Sequence, residues 1–121
     1  PKTIEIKKNE TIKFVVKNLG ELVHEYNIAT KAMHLHHQKE MLKMVENEII
    51  LADKIDKVKM REMAKVDHAM AHQHSNSVLL EPGSQAEIIW KFSSKTKLEV
   101  ACNVPGHYEV GMIAEIKQID G

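Results

Sequence analysis

Cysteine occurs once in this chain, and the residues that follow it suggest how it is used. Cys102, His107 and Met112 stand at C-x4-H-x4-M in one stretch, Cys102-Asn-Val-Pro-Gly-His107-Tyr-Glu-Val-Gly-Met112. A thiolate, an imidazole and a thioether therefore share one short loop. One more imidazole completes a trigonal His2Cys set with a weak axial methionine, the arrangement that holds a single copper ion for electron transfer. His24 is the natural fourth ligand, giving one type 1 copper on His24, Cys102, His107 and Met112. The soft sulfur donors suit Cu(I) and the imidazoles suit both oxidation states, so the ion changes charge with little change of geometry.

Three competing readings fit less well. A lone cysteine is most often a small buried hydrophobe. Structural zinc sites usually carry a second cysteine at short spacing and do not recruit methionine. A catalytic Cys/His pair normally draws its members from separate parts of the chain, with an orienting Asn or Asp. Here both residues belong to one tight Pro-Gly loop.

The flanking elements that must position these ligands read as strands. Residues 3–7 and 11–17 alternate apolar and polar through Ile4, Ile6, Ile12, Phe14 and Val16, and the link Lys8-Asn9-Glu10 predicts a β-hairpin. Residues 23–29 read as a third strand, entered from Asn18-Leu19-Gly20. Residues 77–80 and 85–92, joined through Pro82-Gly83, predict a second hairpin. The last two strands are 98–102 and 112–119, with the ligand loop between them. Phe14, Val16, Ile88 and Trp90 are the expected core.

Residues 31–74 differ in kind: they contain no glycine or proline and are rich in Lys, Glu, Met, Leu and Ala. That composition predicts helix. Strands on both sides of it make the fold mainly β, a β-sandwich with a helical insertion at about 31–74. At about 100° per residue, Leu35, Leu42, Val45 and Ile49 fall on one side. Met33, His37, Met41 and Met44 form a stripe rotated by roughly 130° from it. Further on, Leu51, Ile55, Val58, Val66 and Ala69 share a face, with Met60, Met63, Met70 and His74 displaced from it and His68 and His72 as a separate i,i+4 pair. These methionines and histidines have two readings. They are a second soft-metal site loading additional Cu(I), or they are adaptable packing where two helices meet, with solvated histidines.

Both flanks of the chain resemble the cupredoxin superfamily, and most closely the plastocyanin/azurin-like bacterial cupredoxins associated with copper tolerance. The matching stretches are Ile12-Lys13-Phe14-Val15-Val16-Lys17-Asn18 leading to Leu22-Val23-His24-Glu25-Tyr26, Leu80-Glu81-Pro82-Gly83, Ile89-Trp90-Lys91-Phe92, and residues 101–112. The resemblance implies a Greek-key sandwich, carries the ligand roles onto His24, Cys102, His107 and Met112, and implies that the backbone N–H following His24 helps hold the thiolate. Such proteins generally have a strand before the first one seen here, so the resemblance implies either a truncated chain or a covered sheet edge. The insertion is also longer than the short Met/His-rich segments of such relatives.

A chain of 121 residues is expected to form one domain, 1–121, with its own core. Lysine plus arginine and aspartate plus glutamate balance at 17 each, which disfavours nucleic acid as a partner. No apolar run approaches the roughly 20 residues that span a bilayer. The chain opens on Pro1, so a signal peptide is either removed or absent. Two functions remain open: a periplasmic redox protein in copper homeostasis, and a one-electron carrier between partner proteins. Neither is an enzyme, and a nitrite-reductase kind of enzyme calls for a second cupredoxin domain. The expected partners are the copper ion and a redox partner protein.

Overall fold

The computed structural model describes residues 3–67, 75–93 and 96–119. Seven strands and two helices follow in the order β1 (Thr3–Lys7), β2 (Thr11–Lys17), β3 (His24–Ala29), α1 (Lys31–Glu46), α2 (Lys57–Ala64), β4 (Ser77–Leu80), β5 (Gln85–Lys91), β6 (Leu98–Ala101) and β7 (Ile113–Ile119). Five strands form one sheet in the order β1-β7-β6-β3-β4, and β2 pairs with β5 in a second. β1 runs parallel to β7, and the remaining pairs are antiparallel.

Neither expected hairpin forms. β1 and β2 lie in different sheets, and so do β4 and β5. Alternation shows that one face of a strand is buried, but not which strand lies beside it. What decides is the corner. Asn9 takes a left-handed conformation (φ 66°). The Lys8 amide donates to Ile119 O at the end of β7, while the Asn9 amide donates to Phe92 O just beyond β5. The link is thereby tied to both sheets at once. The second corner works alike: Gly83 (φ 80°) donates its amide to Asn18 O, past the end of β2.

The sheets close over Ile6, Ile28, Val100 and Ile116 from the larger and Ile88 from the smaller, together with Phe92. Phe14 and Trp90 are half-buried against this cluster, with Phe14 edge-on to Phe92 at 6.2 Å. Val16 is also half-buried, but it lies toward the His24 end of the sandwich rather than in that cluster.

The insertion is helical in two pieces. Thr30 caps α1, its hydroxyl accepting the Met33 amide at 3.1 Å. The helix stops at Asn47, and Glu48 turns left-handed (φ 57°). A short bridge pairs Ile50 with Ile55, and Asp56 starts α2 by accepting the Lys59 amide at 2.9 Å. The break has local signals in sequence, since Asn47 and Asp56 are residues that end or cap helices.

α1 turns two of its methionines inward and its leucines outward. Leu35 and Leu42 are 49% and 48% exposed, whereas Met41 and Met44 are at 0%. His34, His37, Met41 and Met44 form the inward stripe. Met41 and Met44 pack with Val23, Ile49 and Ile50 in a second cluster, against which Met60 and Met63 lie half-buried. On the α2 side, Val58 and Val66 face outward. His68, Ala69, Met70, His72 and His74 lie outside the described residues.

Candidate metal centre

His24 opens β3, and the loop before it is pinned by Asn18. The Asn18 side-chain amide donates to Leu22 O at 2.8 Å and Leu80 O at 2.9 Å, while its Oδ1 accepts the Gly20 amide at 3.0 Å. A Cβ on Gly20 would sit 3.4 Å from both Asn18 Oδ1 and His24 Nε2, so glycine leaves room for the imidazole. Cys102 follows β6 directly. Its amide donates to Met112 O at 3.1 Å, and the Met112 amide donates to His107 O at 3.1 Å. The loop is thus folded back on itself, with Gly106 and Gly111 at positive φ.

These constraints bring the side chains together. Cys102 Sγ lies 3.3 Å from His107 Nδ1 and 3.8 Å from His24 Nδ1, and the two imidazole rings are 4.9 Å apart. All three ligand atoms fall within 4.8 Å of one another. Among the described residues this is the one such group of three or more His, Cys, Asp or Glu side chains. Met112 lines the same cavity of about 250 Å³ as His24, Asn18 and Leu80. The donor set fits copper: one thiolate, two imidazoles and a thioether, with no second thiolate of the kind that structural zinc prefers.

The surroundings shape the thiol. Burial pushes its pKa up, while the amides of Glu25 and Val104 oppose that by favouring the thiolate. The Glu25 amide donates to Cys102 Sγ at 3.2 Å, the bond expected from the residue after His24. Burial first, and then the neighbouring His24, hold His107 below the usual imidazole range. A neutral ring keeps a lone pair for a metal at neutral pH.

Directly behind the loop lies a polar network not anticipated from sequence. The buried Glu25 carboxylate accepts from the Asn103 backbone and side-chain amides at 3.3 and 3.0 Å, and meets His37 Nε2 at 2.8 Å. His37 Nδ1 meets Glu40 at 2.9 Å. Asn103 Nδ2 is also 3.0 Å from His34 Nδ1, and the opposite ring nitrogen of His34 reaches Glu99 O at 3.0 Å. A carbonyl only accepts, so His34 donates there and accepts from Asn103. The available signals were the placement of Glu25 and Asn103 next to His24 and Cys102, and the i,i+3 spacing of His34 and His37.

Among the insertion residues considered as ligands, His37, Met41 and Met44 point inward and Met60 and Met63 are half-buried, while Met33 is exposed. Met41 and Met44 lie in an apolar cluster with Val23, Ile49 and Ile50, and Met60 and Met63 pack against it.

No family model matches the chain. A curated relative from Pseudomonas aeruginosa, the copper-resistant cuproprotein CopI, is 46% identical over 130 residues, covering 96% of this chain and 67% of that protein. The chain belongs to the CopI family. CopI from Vibrio cholerae is 30% identical over 96% of this chain and 55% of its own length, so the chain spans little more than half of that relative. Among solved structures, auracyanin from Roseiflexus castenholzii matches with a TM-score of 0.67 at 16% identity, over 98% of this chain and 85% of that one. An azurin from Methylomonas matches with a TM-score of 0.58 at 15% identity, over 99% and 88%. The fold is therefore that of the cupredoxins, a mainly β sandwich, here carrying a helical insertion.

Proposed function

We propose that this chain is a copper-binding redox protein acting in copper tolerance outside the cytoplasm, in the periplasm, and that residues 1–121 work as one domain holding one type 1 copper. The observation that carries this reading is the convergence of His24 Nδ1, Cys102 Sγ and His107 Nδ1, with the Glu25 amide aimed at the sulfur. Relatives named as copper-resistant cuproproteins support the role in tolerance. His24 and His107 would hold the ion through neutral imidazoles, Cys102 as a thiolate, and Met112 as a weak thioether donor. Bound copper would supply a one-electron couple. The backbone bonds of the loop, with Cys102 and Asn103 buried at its start, hold the donors in place whichever oxidation state is present. Nothing in this arrangement calls for a bound organic substrate, and the role is binding and redox rather than catalysis. Among the described residues no helix is long and apolar enough to cross a membrane.

The alternative is one-electron transfer between partner proteins, without a part in copper handling. The half-buried His107 favours it, because Leu19 and Val110, on the two loops that carry the histidine ligands, are 90% and 80% exposed. An apolar surface at the metal end suits brief docking of a redox partner.

The test is an absorption and electron paramagnetic resonance spectrum on adding one equivalent of Cu(II). An intense visible band that disappears in Cys102→Ser is expected. No such band in the wild type would overturn the type 1 assignment.

A further inference from the structure

The inserted helix touches the loop that carries the thiolate through its polar residues. Three side chains on one face of α1 reach the segment around Cys102: His34 through Asn103 and Glu99 O, His37 through Glu25, and Gln38 through Asn103 Oδ1 at 3.2 Å. Glu25 and Asn103 are each one residue from a ligand, at His24 and Cys102. The Glu25 amide is the group that donates to Cys102 Sγ.

We propose that His37 and His34 are positioning residues for the thiolate: through Glu25 and Asn103 they fix the amide donor to Cys102 Sγ and the backbone that presents the sulfur. This rests on the copper reading above, but its geometry belongs to the protein alone. His37 is the central member. Both of its ring nitrogens face carboxylates, Glu25 on one side and Glu40 on the other, so the ring is held at two points and cannot turn without losing a bond. Asn103 has both amide hydrogens engaged, one by Glu25 and one by His34, and its oxygen accepts from Gln38. A residue so fully engaged has one orientation. With the Asn103 backbone amide also bonded to Glu25, the chain next to Cys102 has little freedom. The insertion thereby supplies the outer support that metal ligands generally need.

Amide hydrogen exchange in the metal-free full-length chain, with His37→Phe against wild type, tests this without copper. Hydrogen bonds to charged groups contribute enough that losing one should speed exchange of the Glu25 and Asn103 amides about ten- to hundredfold. Amides in the β2–β5 ladder should keep their rates. His37→Gln, which can still donate to Glu25, should restore most of the protection. With Cu(II) bound, the sulfur-to-copper absorption band should move in His37→Phe and return toward the wild-type position in His37→Gln. If His37→Phe does not fold, His34→Leu carries the same comparison at Asn103. Unchanged exchange at Glu25 and Asn103, or an equal rise at every amide, would overturn the positioning role. Local exchange behaving as expected in a chain that gives no copper band would sustain the positioning role and overturn the copper reading.

Discussion

Two regions of this molecule are rich in the same donor types, and among the described residues the histidine, cysteine and carboxylate ligand atoms meet at a common point in one of them. At the end of the sandwich, His24, Cys102 and His107 converge within 4.8 Å, held by backbone bonds. In the insertion, Met41 and Met44 are fully buried among valine and isoleucine, while His34 and His37 meet carboxylate, amide and carbonyl partners. The contrast shows that residue type does not make a metal site. Ligand atoms must also converge, as those of His24, Cys102 and His107 do.

The largest effect is expected at the converging end. Cys102→Ala should remove the intense visible absorption of the copper-loaded protein completely, since the charge-transfer band requires that sulfur. Persistence of the band would break the comparison at its stronger half. In the insertion the same kind of truncation should act on stability. Met41→Ala should cost about 2–5 kcal/mol in denaturant unfolding, because it leaves a cavity at a fully buried site. Met41→Leu, which conserves volume, should cost under about 1.5 kcal/mol.

The pH response of the insertion sharpens the contrast further. Burial opposes charging of His37, but Glu25 and then Glu40 outweigh it and raise the pKa from 6.5 to about 8. A raised pKa in the folded state stabilises fully below about 6.5, and that stabilisation fades as pH rises through about 8. Urea unfolding should therefore show a loss of about 2 kcal/mol between pH 6 and pH 9. His37→Gln should flatten this slope, and an equally steep slope in that variant would place the titration elsewhere. A smaller change is expected at Met112. Met112→Gln should retain copper with an altered potential, as a weak axial donor tunes the ion more than it holds it. Complete loss of copper binding would contradict its axial role.

Three of the four residues of the candidate metal centre were legible in sequence because their spacing is local, whereas His24 lies 78 residues from Cys102. Cys102, His107 and Met112 share one loop, and the spacing reports the donor set directly. The strands were legible too, from the alternation around Ile12, Phe14 and Ile88. Their pairing was not, because the same alternation suits either sheet, and the choice was made by Asn9 and Gly83 bonding across to other strands. Which stripe of α1 faces inward was open for a related reason. The helical wheel separates Leu35 and Leu42 from the methionine and histidine stripe, but the surface that α1 meets carries the buried carboxylate of Glu25, and a histidine stripe suits it better. Partners that lie 12 and 69 residues apart in sequence, as in His37–Glu25 and Asn103–His34, leave no local pattern to read.

The central claim is that the donor-rich insertion packs and positions while the sandwich end holds the metal. Anaerobic Cu(I) titration against a competing chelator tests it most directly, on the wild type and on a variant with Met33, Met41, Met44, Met60 and Met63 all changed to leucine. The expected result is one Cu(I) per chain in both proteins with unchanged affinity. Excess Cu(I) in the wild type that disappears in the leucine variant would contradict it, and would make those methionines ligands.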